Sequence, residues 1–180
     1  MSLAAKISRR SRLWKACKHV LHRSVSSIRR LFASSGRFYP DTVAKHPDEP
    51  TRDKFGIRHH SLYGEGVVAK REFRKGELLF RFDGPRCSSQ TLFTLQKKQG
   101  VYVEDPYVMG KILHSCDPNA IADMEAQRFL ARRDIRAGEW ITMDYESTED
   151  ELYRPFDCRC GSDNCRGRIT GKKSRSSLRK

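Results

Sequence analysis

The stretch FDCRCGSDNC, residues 156–165, sets Cys158, Cys160 and Cys165 in the spacing C-x-C-x4-C. Its Arg, Gly and Asp content leaves too little apolar surface for such a segment to fold alone, so the thiols must do the holding. The chain has 6 cysteines and no secretory apolar stretch near its start. That pattern argues for a reducing compartment and for metal ligation rather than disulfides. A structural zinc takes four ligands in tetrahedral geometry, so the cluster is one short. Cys17, Cys87 and Cys116 are the other cysteines. Cys17 sits in a basic tail. Cys87 follows Asp-Gly-Pro-Arg, and Cys116 stands in LHSCDPNA at an Asp-Pro turn able to fix a side chain. Spacing alone leaves Cys87 and Cys116 level. A self-contained zinc knuckle would need a fourth ligand close by, and no His or Cys follows Cys165.

The charge is unevenly placed. Of 36 basic residues, 10 lie in 1–40 and 7 in 166–180, stretches without a single acid. Residues 41–165 therefore hold 19 basic residues against all 22 acids, and the net charge of +14 belongs to the two ends. A nucleic-acid reading from the whole-chain charge would mislead, because the body is slightly acidic. No run of 18 apolar residues occurs, so no membrane span is expected.

In residues 3–32 apolar side chains, from Leu3 and Ile7 through Trp14 to Phe32, stand mostly three or four positions apart, one face of a helix. The segment is basic, Ser-rich and acid-free, and RLFAS (30–34) resembles a processing site. It resembles a mitochondrial transit peptide; the alternative is a basic arm binding nucleic acid, chromatin or an acidic membrane surface. Localisation follows: mitochondrial in a eukaryote, or nuclear and chromatin-bound on the alternative, and cytoplasmic in a bacterium. Residues 1–40 are thus read as tail, 41–56 as linker, 57–150 as the main domain, 151–169 as the cysteine segment and 170–180 as a disordered basic tail.

From Gly56 onward short β-like runs appear: GVVAK, ELLFRF, QRFLA and EWITMDY. Ser88 or Ser89 is placed to cap a helix running to about Lys98. One motif occurs twice, as AKREFRKGELL (69–79) and ARRDIRAGEWI (131–141). Each copy reads as a strand end, a glycine turn and a new strand, so two similar hairpins are expected; two copies are too few for a solenoid.

Four motifs in order carry a resemblance. YGEGVVA (63–69), HSCDPNA (114–120), GEWITMDY (138–145) and FDCRCGSDNCRG (156–167) together resemble the SET-domain protein-lysine methyltransferase family with its post-SET zinc segment. The resemblance covers about residues 57–169 and leaves the tails without a counterpart. It implies a mostly β fold with short helices, the β-clip-like SET fold with a pseudo-knot through the His-Ser-Cys segment. It implies zinc on Cys116, Cys158, Cys160 and Cys165, with Cys17 and Cys87 spare.

The implied reaction moves a methyl group from S-adenosylmethionine to a lysine of a protein substrate, histones included. Tyr145 would be catalytic, orienting the amine. Gly64, Gly66, Leu113, His114 and Phe156 would bind the cofactor. A free lysine amine is protonated near pH 10.4 and below, and an apolar channel beside a sulfonium favours the neutral, attacking form. Each residue also has a plainer reading: a half-buried strand tyrosine, a turn of glycines, a core histidine. The chief departure is Leu113, where the family usually has Asn, and GKI (110–112) replaces its Arg-Phe-Ile lead-in. Leu cannot donate the amide's hydrogen bonds. The alternative function is therefore a catalytically weak SET module that binds a protein or, through its basic ends, non-specific nucleic acid.

Overall fold

The computed structural model describes residues 36–177. The basic tail over 3–32 and Cys17 lie outside the described residues. Twelve short strands carry the described chain, grouped in five small sheets. Strands β1 (Phe55–His60) and β2 (Gly64–Ala69) form an antiparallel hairpin with Phe55 opposite Ala69. Strands β3 (Leu78–Arg81), β8 (Ala120–Asp123) and β9 (Arg128–Ala131) form an antiparallel sheet ordered β3-β9-β8. Strands β4 (Arg86–Cys87), β5 (Thr94–Lys98) and β6 (Val101–Glu104) form another, ordered β4-β6-β5. Strand β7 (Leu113–His114) runs parallel to β10 (Thr142–Met143). Strand β11 (Phe156–Asp157) pairs with β12 (Arg168–Ile169).

All of these sheets except the β11–β12 pair contribute to one core. Phe55 stacks on Phe73 at 5.2 Å between centroids, and Phe80 meets Phe55 edge-on and Phe129 in a stack. Val67, Ile135, Ile141 and Met143 fill the remainder. Among the described residues no helix is long and apolar enough to cross a membrane.

The repeated motif folds as two copies that pair with each other. Ala69 exchanges backbone bonds with Gly138 and Glu139, at 2.8 and 2.9 Å. Ala131 exchanges the equivalent bonds with Gly76 and Glu77, again at 2.8 and 2.9 Å. At the centre Phe73 and Ile135 bond reciprocally. The side chains follow the same local two-fold: Arg71 pairs with Glu77 and Arg133 with Glu139. Gly76 and Gly138 take φ of 84° and 90°, values that disfavour any residue with a Cβ.

Beyond the repeat, whose copies pair with each other instead of forming the two local hairpins expected, three expectations need correction. The helix from Ser88 or Ser89 to Lys98 is instead a turn leading into β5. The Thr94 hydroxyl accepts the Thr91 N–H at 2.9 Å and fixes that turn, and Gly100, at φ 69°, closes a hairpin onto the β-branched VYVE strand. Residues 41–56, and 37–40 before them, are not a linker. Arg37, Phe38, Tyr39, Glu49 and Phe55 are buried, and Arg37 forks Glu49, with Nη2 2.9 Å from Oε2. A buried ion pair has no hydrophobic period, which is why this stretch reads as linker. The third concerns residues 170–180, expected to be disordered: Lys172–Ser177 is a short helix, its Lys172 and Lys173 N–H groups held by the Glu149 and Asp150 carbonyls.

Candidate active site and metal centre

Residues 112–120 pass between β10 and the cysteine segment. β7 pairs with β10, and Ser115 N–H donates to the Met143 carbonyl at 3.0 Å. Asn119 is nearly fully buried and ties this segment to residues 140–142: its Nδ2 donates to Trp140 O at 2.8 Å, and its Oδ1 accepts Thr142 N–H at 2.9 Å. The Asp117-Pro118 turn is closed by Ser115 Oγ, which accepts the Asp117 N–H.

This joint brings Tyr145 to His114. Tyr145 begins a 3-10 turn, Tyr145–Ser147. Its N–H donates to His114 Nδ1 at 3.2 Å, and its hydroxyl donates to the Ile112 carbonyl at 2.7 Å. Since Nδ1 accepts, the imidazole proton sits on Nε2, 3.5 Å from Cys116 Sγ. Burial pushes His114 down to about 4, outweighing the nearby Asp144 charge. Burial, with the Glu149 charge adding to it, pushes the Tyr145 hydroxyl well above its ordinary value. Tyr145 thus stands as a neutral hydroxyl of fixed direction.

Phe156 completes a triangle of rings: His114–Tyr145 at 5.2 Å, His114–Phe156 at 5.5 Å and Tyr145–Phe156 at 6.0 Å, all edge-to-face. Cavities open on two sides of it. One of about 200 Å³ is lined by Leu95, Met109, Ile112, Met143, Tyr145 and Phe156, among others. The other, about 130 Å³, is lined by Tyr63, Leu113, His114, Phe156 and Cys158. Phe156 belongs to both.

Gly66 and Leu113 explain each other. A Cβ on Gly66 would lie 2.8 Å from Leu113 Cδ1 and 2.8 Å from Trp140 Cζ3. The leucine, 9% exposed, occupies the space that residue 66 leaves by having no side chain. The segment packs around an apolar side chain at this point. Gly64, at φ 79°, turns the chain into β2.

The sulfurs of Cys116, Cys158, Cys160 and Cys165 all lie within 4.8 Å of one another. Cys116 and Cys158 are 3.9 Å apart, close to the ~3.8 Å edge of a zinc tetrahedron with bonds of about 2.3 Å. The Arg166 N–H donates to Cys116 Sγ at 3.3 Å, the kind of outer contact that steadies a thiolate ligand. The four thiols fit zinc. Cys87 lies elsewhere, buried beside the Pro85 carbonyl, so geometry separates the two candidates that spacing left level.

Sequence reasoning missed Arg166, Asp144 and Tyr63. Arg166 is only 17% exposed and grips Asp144 with both terminal nitrogens, Nη1 lying 2.7 Å from Oδ2. The available signal was position: Arg166 follows a cysteine of the cluster, and Asp144 and Glu146 flank Tyr145.

Residues 64–146, which include Gly64, Gly66, Leu113, His114, Cys116 and Tyr145, match the SET domain family. Several of the proteins the chain resembles are methyltransferases. It is 34% identical over 84 residues to methyltransferase flvH of Aspergillus flavus, covering 46% of this chain and 47% of that one. It is 26% identical over 145 residues to histone-lysine N-methyltransferase 2B of Homo sapiens, covering 68% of this chain and 5% of that protein. Among solved structures, KRYPTONITE in complex with mCHH DNA, H3(1-15) peptide and SAH superposes with a TM-score of 0.52 at 19% identity, over 63% of this chain and 29% of that one. The methyltransferase domain of human SETMAR gives 0.52 at 17% identity, over 65% and 58%. The chain thus spans about half of one curated relative and a small part of the other.

Proposed function

We propose that this chain transfers a methyl group from S-adenosylmethionine to a lysine side chain of a protein substrate. The observation that carries the reading is the Tyr145 hydroxyl, locked on the Ile112 carbonyl at the wall of the larger cavity, which shares Phe156 with the smaller one. The methyltransferase relatives support it. When bound, the cofactor supplies an activated methyl group and a positive charge.

The residues of this chain do the remainder. Tyr63, Leu113, His114 and Phe156 wall the smaller cavity and would hold the cofactor's adenosine and sulfonium. The larger one has Gln90, Glu149 and Arg154 in its lining and an apolar wall of Met109, Ile112 and Met143, along which a lysine stem would lie. Such walls disfavour the ammonium form and keep the attacking amine neutral. Tyr145 and the Ile112 carbonyl present an oxygen pair of fixed direction to that amine, so its approach is set before reaction and alignment does much of the catalysis. Tyr145 does not act as a base, because its proton is held tightly.

The experiment is mass spectrometry of core histones and of a cell lysate incubated with the purified chain and methyl-labelled S-adenosylmethionine. Label on lysine, absent with Tyr145→Phe, is expected. Label on no lysine would sink the reading. One observation favours a second reading: Leu113 fills the space over Gly66 and offers no donor. That reading is a SET module with little or no turnover that binds a partner. Titration calorimetry separates the two, since the module reading requires no heat of binding at millimolar S-adenosylmethionine.

A further inference from the structure

Arg166 ties the cysteine cluster to the catalytic tyrosine. Three separate contacts meet in this residue. Its backbone N–H reaches the sulfur of Cys116 at 3.3 Å. Both terminal nitrogens grip the Asp144 carboxylate, Nη1 at 2.7 Å from Oδ2. Its Nε lies 3.2 Å from Glu146 Oε2. Asp144 and Glu146 are the two neighbours of Tyr145. Asp144 caps the Tyr145–Ser147 turn, its Oδ1 accepting the Glu146 N–H at 3.0 Å, and stands 3.9 Å from His114 Nδ1, which accepts the Tyr145 N–H. Glu146 turns its other oxygen to the Thr170 and Gly171 N–H groups beyond the cluster.

The fork is three-quarters or more hidden from water on both sides, with 17% of the Arg166 side chain and 23% of that of Asp144 exposed. The two-pronged grip on Asp144 fixes direction as well as distance, which an ammonium cannot do, while Glu146 adds the pull of a second charge without a hydrogen bond to Nε. The geometry points to Arg166 as a positioning residue: the metal-held segment presents its guanidinium to Asp144 and Glu146, and this clamp sets the turn from which Tyr145 reaches the Ile112 carbonyl. Metal loading and tyrosine placement are then coupled, and the coupling runs in both directions. Cutting the clamp at Asp144, whose side chain touches no sulfur, must loosen the metal; emptying the cluster must free Tyr145.

This rests on the methyl-transfer reading for its kinetic half only. The test compares Arg166→Gln, Arg166→Lys and Asp144→Asn as full-length zinc-loaded chains. One measurement follows zinc passing to the chelator 4-(2-pyridylazo)resorcinol. Release about fivefold or more faster from Asp144→Asn is expected, in line with a coupling of ordinary size; release at the wild-type rate from both Asp144→Asn and Arg166→Gln overturns the clamp. The other measures methylation of core histones. A kcat lowered about tenfold or more is expected, with KM for S-adenosylmethionine within about twofold and Arg166→Lys between Gln and wild type. Unchanged kcat, or a loss seen only in KM or melting temperature, overturns the positioning role. Should Arg166→Gln fail to fold, Asp144→Asn carries both measurements. Should the wild-type chain methylate nothing, the methyl-transfer reading fails while zinc release still decides the clamp.

Discussion

Tyr145 and Leu113 make opposite predictions from similar burial. The Tyr145 hydroxyl has one partner, the Ile112 carbonyl, and Tyr145→Phe removes the donor while keeping the ring triangle with His114 and Phe156. Folding and S-adenosylhomocysteine binding are expected to persist by calorimetry, and turnover to fall by a factor equivalent to ~3–4 kcal/mol, the scale of one preorganised donor. Leu113 is wedged against Gly66. Leu113→Asn would place an amide there with no partner, at a cost of about 1–3 kcal/mol. A lower melting temperature and no gain in cofactor affinity are expected; a variant that melts no lower and binds the cofactor more tightly would show that only a hydrogen bond was missing. Most of the site was legible at this scale, because Tyr145, His114 and the cysteines sit in short motifs. Arg166 was not, since its role depends on a fold-back across 22 residues to Asp144, and no local pattern marks such a pair.

At the scale of elements, the segment from β11 to β12 has almost no core of its own. Ile169 is fully buried and packs with Cys116 and Cys158, and each strand is two residues long. Metal binding must therefore supply much of its folding free energy. About one zinc per chain is expected by metal analysis, lost in Cys116→Ser and kept in Cys87→Ser. After chelation, hydrogen exchange should rise over 156–170 while the β3-β9-β8 sheet keeps its protection. The loop before β7 makes a different prediction. Burial holds the Asp105 carboxyl above its ordinary value, although Tyr39 Oη and the Tyr107, Val108 and Met109 N–H groups all donate to it. A carboxyl whose native pKa exceeds its unfolded value binds more protons in the native state, so its contribution to stability falls as pH rises through that window. The stability advantage of wild type over Asp105→Asn should thus shrink as the pH is raised from about 4, near the unfolded carboxyl value, measured by urea unfolding. Strands with β-branched or aromatic runs, β2, β3 and β9, were legible as elements. β5 was misread as a helix because Leu95, Gln96 and Lys98 suit either form, and the Thr91–Thr94 turn decides the matter only in three dimensions.

For the whole molecule, the two copies of the repeated motif were visible in the sequence, yet their pairing was not. Each reads as a local hairpin, and nothing in either copy states that its backbone partners lie in the other. That mutual pairing, with Phe73 against Ile135 at its centre, has a kinetic consequence. Neither corner can form its hydrogen bonds until a stretch of more than fifty residues has been closed into a loop, and closure entropy is spent before the contacts reward it. The rate-limiting barrier of refolding should contain both corners together or neither. Phe73→Leu and Ile135→Val are then expected to give matching φ-values in stopped-flow refolding, although they lie far apart along the chain. A high value at one with a low value at the other would mean that the corners assemble in sequence.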